Sequence, residues 1–514
     1  MMAQGVLGFQ YEEDSSARGL TALGGLPVYL DLVRASGLAD AIRRHVRVAG
    51  SRGWLDIQMV LALVFLNLAG GDCVEDIERL EGDGGFVEVV QRIERDLLSR
   101  RERRGLQKRW RRERVRVLPS PSSISTWLGR FHDTAGEAGR EAGKAFIPAV
   151  TAAVQGLWQA NQALIGFLQS HQPATVATLD MDATLVETHK RQALHSYKGF
   201  KAYQPLNCWW AEQGVMLYSE FRDGNVPAGY EQLRVMKASL AGLSPEVKKV
   251  LLRSDSAGYQ QELLLYCGEG KDARFGVIEF AVSADVTEEF RTVVRQVAEA
   301  DWQPLYREVP GSRPGIVHRE PTEQEFAEVG YVPNWAGYSR QRADYRFLAV
   351  REPLRQRELP LEGAAPELPF PTETFGTKGT YKLFGIVTNR KLPGDQLIWW
   401  LRERCGKSEE VHAILKDDLA GGQMPSGLFG ANAAWWAITN LAHNLNATMK
   451  RLVLGSAWTA KRMKALRFAL INLPGRVIGH ARRLIIRVSA TGDALARLLA
   501  ARQTIQALAR GPAG

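Results

Sequence analysis

Residues 176–184, with the sequence VATLDMDAT, alternate apolar and polar side chains. Such alternation is typical of a β-strand, in which every second side chain leaves the same face. Asp180 and Asp182 therefore share one face of a predicted strand. A carboxylate among apolar neighbours costs free energy unless a cation pairs with it. The segment predicts either structural ion pairs, with Arg253 as one partner, or a cation site built on a sheet.

The segments that follow predict a mixed α/β core. Strand-like runs cover 207–211 and 215–221, a helical pattern covers 229–243, and a further strand over 250–255 leads into a helix near residue 259. Three strands, a helix, a strand and a helix form the element order of an RNase H-like core. Asp255 would end the fourth strand, at the sheet edge where α/β folds place their sites.

The chain is also too long for one compact unit, since it has 514 residues. The predicted fold class is multidomain α+β: an RNase H-like α/β catalytic core interrupted by a β-rich insertion, with helical N-terminal and basic helical C-terminal parts. Helix-period spacing appears at 28–41, 56–68 and 74–80, and a Pro/Ser-rich stretch precedes a helix predicted at Trp127. The predicted divisions are 1–135 (helical, DNA-end binding or dimerisation), 136–271 (core, first part), 272–390 (β-rich insertion), 391–448 (core, second part) and 449–514 (basic C-terminal region).

Positive charge is concentrated in two blocks. The chain has 66 Lys and Arg against 56 Asp and Glu, a formal net charge of +10. Residues 100–116 contain ten Lys or Arg, and residues 450–510 contain thirteen basic residues with one acid. Each block is either a solvated face or a phosphate-binding surface, and two blocks of one sign favour a polyanionic partner. Within the first block, Arg109, Arg111 and Arg112 are the predicted DNA contacts.

Cysteine usage and hydropathy argue against a secreted or membrane protein. The four cysteines are far apart and form no CxxC pair, so neither a disulfide framework nor a zinc site is predicted. No basic segment followed by an apolar run is found at the N-terminus, and the longest apolar stretches are too short to span a bilayer. We expect a cytoplasmic protein without a membrane partner.

A third acidic residue is predicted on a helix that begins near residue 408. Glu409, His412, Ala413 and Lys416 fall on one face of that helix, and Glu410 lies about 100° away and is predicted to be solvated. The face is either a solvated ion-pair stripe or part of the acidic site.

Three motifs carry a family resemblance. They are Asp182-Ala183-Thr184, Arg253-Ser254-Asp255-Ser256 and Gly406-Lys407-Ser408-Glu409, the last placed seven residues before Lys416. Together they resemble the DDE transposases of bacterial insertion sequences, and most closely the family called insertion sequence thirteen-eighty. The resemblance covers about 175–450 and extends more loosely to the N-terminal helical part. Asp182 and Asp255 are 73 positions apart and Glu409 follows 154 positions later, a gap that a β-rich insertion fills in similar transposases.

The resemblance implies the chemistry of the site. Asp182, Asp255 and Glu409 are the implied catalytic acids and the implied ligands of two Mg²⁺ ions, for which Mn²⁺ can substitute. Asp180 is a candidate auxiliary acid.

Several cationic and aromatic side chains are implied DNA contacts. Lys416 would lie near the scissile phosphate, and Trp302 or Trp335 either stacks on an extruded base or packs in the core. The wider group has a Tyr and an Arg where this sequence has Arg402 and Cys405. The remaining implied phosphate contacts are Arg404, Lys407 and Arg253.

The implied function is cut-and-paste transposition. The protein would bind inverted-repeat transposon ends as a homodimer in a synaptic complex, cleave them and join the 3′-hydroxyl ends to target DNA in the bacterial, nucleoid-associated cytoplasm. The alternatives are a catalytically idle DNA-binding protein derived from a transposase, and a metal-dependent nuclease that cuts without joining.

Overall fold

The computed structural model describes most of the chain. The described residues are 19–48, 53–97, 99–108, 116–141, 143–310, 316–333, 335, 345–354, 370–376, 379–480, 483–489 and 493–510.

The N-terminal part is helical, apart from the two-residue strand β1 (Leu20–Thr21). Its α-helices are Val28–Ala35, Leu38–His45, Asp56–Ala69, Ile77–Gly82, Gly84–Leu97, Arg100–Lys108, Pro121–Gly129 and Ala152–His171.

Two boundaries in this region differ from the sequence prediction. The pattern at 28–41 is divided between two helices, because Gly37 adopts the left-handed conformation with φ of 69° and stops the first. The helix predicted at Trp127 begins earlier, at Pro121. There the Ser120 hydroxyl accepts a hydrogen bond from the Ser123 backbone at 3.2 Å, and proline fits the first helical turn.

A large mixed β-sheet follows, with ten strands among the described residues. The strands from the first half of the chain are β2 (Val176–Ala183), β6 (Leu206–Trp210), β7 (Val215–Glu220), β8 (Lys249–Ser254) and β9 (Glu279–Ala284). The strands from the second half are β10 (Gln303–Pro310), β11 (Val317–Val329), β12 (Arg346–Pro353), β13 (Thr372–Thr374) and β14 (Thr380–Thr388). The path across the sheet runs β10-β11-β12-β14-β9-β8-β2-β6-β7, and β13 pairs with β14.

Strand direction changes within this sheet. β6 and β7 are antiparallel neighbours on one side of β2, whereas β8 and β9 continue on the other side in parallel. The helix Gln232–Ala241 connects β7 to β8, and Gln261–Gly268 connects β8 to β9. The predicted order of three strands, a helix, a strand and a helix is confirmed. The short strands β3 (Val186–Glu187), β4 (Leu194–His195) and β5 (Lys201–Tyr203) form a separate small sheet between β2 and β6.

The strands predicted as an insertion extend the same sheet. β9 lies beside β8 although it falls within the predicted insertion, and β14 pairs antiparallel with β9. The helix Glu288–Arg295 follows β9. The strands of 272–390 therefore lie on a continuous sheet with those of the core, and the division at 272 stays a prediction.

The C-terminal part packs against both the sheet and the N-terminal helices. Its α-helices are Gly394–Arg402, Lys407–Ala413, Phe429–Thr448, Met463–Leu466 and Ala494–Leu508, and its strands are β15 (Gly475–His480) and β16 (Arg483–Val488). β15 pairs with β1, so the two ends of the described chain meet in one small sheet. Within the described ranges no single helix is both long and apolar enough to cross a membrane; one bent pair, Asp56–Ala69 with Val74–Gly82, meets that test by length and composition only.

The helix Phe429–Thr448, which we name the central helix, is buried from Gly430 onwards. A helix buried on every side must have its polar side chains hydrogen-bonded. Asn444 accepts from the Met216 backbone N–H at 2.8 Å and donates to the Asn161 side chain at 2.7 Å, while Asn446 accepts from the Tyr29 hydroxyl at 2.8 Å. These bonds connect the sheet, the helix Ala152–His171 and the N-terminal helices through one element.

Candidate active site

Asp182 and Asp255 lie side by side at the ends of two parallel strands. β2 and β8 are in register from Val176 opposite Lys249 to Met181 opposite Ser254, so the next residues along the two strands are the two aspartates. Asp255 also caps the turn after β8, because its carboxylate accepts the Ala257 backbone N–H at 3.1 Å.

The Asp182 carboxyl holds its proton more tightly than an ordinary aspartate. Its side chain is 21% exposed. Burial is the main cause that raises the pKa of Asp182 to about 6, and the charges of Asp255 and Asp180 act in the same direction. Arg404 opposes them, since its guanidinium is 3.2 Å from the Asp182 carboxylate. A group that is poised close to neutral pH is a frequent mark of a functional site.

Asp180, on the same face of β2, has a different partner. Arg253 donates to both of its carboxylate oxygens, at 2.6 and 2.9 Å. The same guanidinium donates to the Trp400 carbonyl and to Glu403, each at 2.8 Å, and its side chain is only 2% exposed. Through Arg253, Asp180 on β2 is therefore linked to the end of the helix Gly394–Arg402. The structural ion pair weighed from the sequence is present, and an auxiliary catalytic role for Asp180 stays a prediction.

The predicted contact of Arg253 with DNA stays a prediction. In this structure the guanidinium is buried in its ion pairs with Asp180 and Glu403, and breaking a buried pair to admit a phosphate costs free energy.

The helix Lys407–Ala413 carries the third predicted acid, and we name it the Glu409 helix. Gly406, with φ of 78°, turns the chain into it, and a π-helical turn, Ile414–Asp418, extends it. Lys407 is exposed at its first turn. Lys416, within this π-helical turn, donates to the Leu185 carbonyl at 3.3 Å, just beyond the end of β2.

Four buried side chains connect the Glu409 helix to the central helix. Trp436 donates to the Ser219 hydroxyl at 2.7 Å, and Ser219 donates to the Asn207 side chain at 2.6 Å. The Asn207 amide donates to His412 Nε2 at 3.1 Å. Asn207 is also the register partner of Asp182 across β2 and β6. The face of the Glu409 helix that carries His412 is thus turned toward the strand that carries Asp182.

His412 is held neutral in this network. Burial lowers its pKa to about 4, and the charges of Lys416 and Arg404 lower it further. A neutral imidazole can accept the Asn207 hydrogen bond, which an imidazolium cannot.

Glu409 and Glu410 are both exposed, so the predicted division between a site acid and a solvated acid stays a prediction. Glu410 interacts electrostatically with Lys450, where it opposes the lowering of the lysine pKa by burial. Glu409 is one helical turn before His412 and is exposed.

The structure brings two of the three predicted metal ligands together. Within the described ranges, no three His, Cys, Asp or Glu side chains are close enough to hold a metal ion. Glu409 does not complete the Asp182–Asp255 pair in this conformation. The pair itself fits a hard divalent cation: its donors are carboxylate oxygens, and a cation would offset the burial and the neighbouring acids that raise the Asp182 pKa.

Two groups of predicted DNA contacts remain, the arginines at positions 109, 111 and 112 and the aromatic residue Trp335. Arg109, Arg111 and Arg112 lie outside the described residues. Trp335 is half-buried with its ring centroid 6.2 Å from that of Tyr259 and 5.4 Å from that of Tyr345, so stacking on a base would require this cluster to open.

Trp302, the other aromatic weighed for stacking, is buried. It is 6% exposed and lies beneath the Arg351 guanidinium, 4.2 Å from its ring centroid. The core-packing interpretation is the one that the structure supports for Trp302.

Comparison with known protein families identifies the family of the chain. The family model described as Transposase DDE domain group 1 matches residues 12–336. The chain belongs to this family. The matched range includes Asp182 and Asp255 and ends before Glu409.

Comparison of this DDE transposase family member with individual proteins gives weaker matches than the family model does. No curated protein sequence matches it. Among solved structures it is similar to a piggyBac transposase, in the cryo-EM structure of its synaptic complex with hairpin DNA, with 11% sequence identity and a TM-score of 0.40. The similarity covers 87% of this chain and 79% of that one, and at this TM-score the two structures differ too much for one to inform the other.

Two features of the site were missed from the sequence. The first is the pairing of Arg404 with Asp182, because Arg404 was assigned to DNA phosphate. The second is the Asn207–His412 bond. A signal for the latter existed, since His412 was predicted on the Glu409 face, but its partner is 205 residues earlier in the chain.

Proposed function

We propose that this chain is an active DNA transposase. It binds inverted-repeat transposon ends, cleaves them by metal-dependent phosphoryl transfer, and joins the 3′-hydroxyl ends to target DNA in a cut-and-paste reaction. The observation that carries the proposal is the in-register placement of Asp182 and Asp255 at the ends of adjacent parallel strands, with the Asp182 pKa raised to about 6, in a chain of the DDE transposase family.

The proposed core is RNase H-like. The support is the strand order β7-β6-β2-β8-β9, with antiparallel strands on one side of β2 and parallel strands on the other. In this proposal the strands β10 to β14 form the β-rich insertion that separates Asp255 from Glu409, and the insertion-sequence family named above remains the proposed subgroup.

The proposed cofactor is a pair of Mg²⁺ ions held by Asp182, Asp255 and Glu409. When bound, such ions activate a water or 3′-hydroxyl and stabilise the leaving oxygen of a phosphoryl transfer. Asp182 would bind these ions as the carboxylate, and their positive charge would oppose the causes that raise its pKa. Its ion pair with Arg404 supplies a positive charge that keeps the carboxylate in place before the ions bind.

The other residues position the acids and the DNA. Ala257 fixes the Asp255 carboxylate, and the Asn207–His412 bond orients the Glu409 helix. Lys416 and Lys407 are the proposed phosphate contacts at the cleft, because each lies on or next to the Glu409 helix. Arg100, Arg101, Arg103 and Arg104 are exposed and extend the proposed DNA-binding surface to the N-terminal helices.

The proposed assembly is a homodimer in a synaptic complex with two transposon ends, in the bacterial cytoplasm. The charge excess supports the DNA partner, and the paired ends of a transposon supply a reason for two protomers.

The test is a cleavage assay in the presence of Mg²⁺. Its substrate is a DNA duplex whose sequence is taken from the region that flanks the gene, where an intact element has its terminal repeats. Wild type is expected to expose a 3′-hydroxyl at the repeat edge and to join it to a second duplex. Glu409→Gln is expected to bind but not cut. Glu410→Gln is the matched control, since Glu410 is adjacent and interacts with Lys450 instead. Equal cutting by wild type and Glu409→Gln would show that the third acid lies elsewhere.

One observation favours the idle alternative. The Arg404 guanidinium forms an ion pair with the Asp182 carboxylate, and Glu409 does not join Asp182 and Asp255 in a three-acid cluster. Binding of flanking DNA by wild type without cutting in Mg²⁺ or Mn²⁺ would select this alternative, and cutting without joining would select the nuclease.

A further inference from the structure

A groove opens where β2 ends. It begins at Ala183 and Thr184, directly after Asp182, and has a volume of about 1130 Å³. Lys416 also lines it. The groove therefore begins one residue beyond Asp182, although Asp182, Asp255 and Glu409 are not among its lining residues.

The hairpin between β4 and β5 lines the groove with Tyr197, Lys198 and Phe200. The Ser196 backbone N–H donates to the Phe200 carbonyl at 2.8 Å, and the Gly199 N–H donates to the Ser196 carbonyl at 2.9 Å. Gly199 has a φ of 86°, a conformation that favours glycine. The result is a tight turn with Tyr197 at its tip.

Tyr197 is the unusual residue of this groove. Its side chain is 76% exposed, although large aromatic rings are normally buried. The Lys198 ammonium lies 5.9 Å from its ring centroid. An exposed ring with a neighbouring cation is the arrangement with which proteins stack on nucleic-acid bases while neutralising the adjoining phosphate.

The charge of the hairpin and of the segment before it favours the same partner. Residues 188–201 contain four Lys or Arg and no Asp or Glu: Lys190, Arg191, Lys198 and Lys201. The groove lining as a whole is balanced, because Lys190, Lys198 and Lys416 stand against Asp72, Glu187 and Asp417, so the positive excess belongs to residues 188–201.

We propose that the hairpin 194–203 binds an unpaired DNA strand next to the acidic site, with Tyr197 stacked on one of its bases and Lys198 on the adjoining phosphate. This inference rests on the proposed function for its ligand, and it transfers to Tyr197 the stacking role that the buried Trp302 cannot perform. A base that has left the duplex exposes both faces, and an aromatic side chain replaces the stacking that the base has lost. The sequence of the strand has little influence, because every base presents a π-face.

The probes are two duplexes of one sequence, one blunt and one with a short single-stranded extension that contains 2-aminopurine. Wild type is expected to bind the extended duplex more tightly and to quench the 2-aminopurine fluorescence. Tyr197→Ala is expected to lose about fivefold to a hundredfold in affinity for the extended duplex, to lose the quenching, and to bind the blunt duplex as wild type does. Tyr197→Trp is expected to restore both properties.

Tyr230→Ala is the matched control, since Tyr230 is a second exposed tyrosine and does not line the groove. Tyr197 is at a turn tip, so its variants are expected to fold, which circular dichroism checks.

The outcomes separate this inference from the proposed function. Full quenching by Tyr197→Ala overturns the inference, even when wild type cleaves the flanking DNA. A change in sedimentation with unchanged DNA binding overturns it as well, because Tyr197 would then be a contact between protein copies. If wild type does not cleave DNA but prefers the extended duplex, and Tyr197→Ala abolishes that preference, the inference stands and the proposed transposase activity is refuted.

Discussion

Two aspartates on one face of β2 should respond in opposite ways to the same isosteric change. Asp182→Asn is the informative variant, because the Asp182 carboxylate is unfavourable in the folded protein. The pKa of this group rises from 3.8 in a model peptide to about 6 in the fold. A difference of about two pH units at about 1.4 kcal/mol each corresponds to roughly 3 kcal/mol.

The pH range of this effect follows from the direction of the shift. Well below pH 3.8 both folded and unfolded chains have a protonated Asp182, and asparagine imitates that neutral form. As the pH rises through 3.8 and then about 6, the unfolded chain ionises first, so wild type loses stability that Asp182→Asn keeps. Because the unfolded chain is already more than half ionised at pH 4, the free energy of unfolding of Asp182→Asn, relative to wild type, should increase by about 2.5 kcal/mol between about pH 4 and about pH 7.5.

Asp180→Asn is the matched control. It leaves the buried Arg253 with Glu403 as its remaining ion-pair partner, so we expect a loss of about 2–3 kcal/mol at pH 7.5. Urea denaturation followed by tryptophan fluorescence at the two pH values measures both variants. Parallel pH dependence of wild type and Asp182→Asn would refute the raised pKa. Added Mg²⁺ should stabilise wild type at pH 7.5 and leave Asp182→Asn unchanged.

Two further predictions concern packing and the positioning network. Gly156→Ala should destabilise the protein by about 1–3 kcal/mol, because a Cβ there would overlap the His45 carbonyl. Gly166→Ala in the same helix is the control: a Cβ there meets no neighbouring atom, so the variant should be more stable by about 0.5–1 kcal/mol in the same urea experiment. His412→Leu should lower the free energy of unfolding by about 1–3 kcal/mol at pH 7.5, because Asn207 loses its hydrogen-bond acceptor. Since the His412 pKa is lowered to about 4, wild type should lose this advantage over the variant as the pH falls from about 6.5 to 4. The same pH dependence of stability in both proteins would contradict the neutral imidazole.

Local sequence patterns were sufficient for the strands around the site. Alternation predicted 176–184, observed as Val176–Ala183, and the predicted strand at 250–255 is observed as Lys249–Ser254. Because parallel strands end at one edge, the approach of Asp182 to Asp255 was accessible from the same reasoning.

Features that depend on distant partners were not predictable in this way. Periodicity placed Glu409 on a helix, but the π-helical turn Ile414–Asp418 follows no 3.6-residue pattern. The small sheet β3-β5-β4 has strands of two or three residues, too short for alternation to register. The ion pair of Arg404 depends on how the turn between the helices Gly394–Arg402 and Lys407–Ala413 docks on β2, a strand more than 200 residues earlier in the chain.

The central helix has a consequence for biosynthesis. The apolar helix Asp56–Ala69 packs on it, yet about 380 residues separate the end of that helix from Thr448. At roughly 5–20 residues per second, the ribosome needs about 20–75 s to supply this covering segment. During that interval the nascent N-terminal helices expose an apolar surface that only the finished chain can cover. Chaperone capacity should therefore limit the yield of this protein when it is expressed, and lower temperature or added chaperones should raise its soluble fraction.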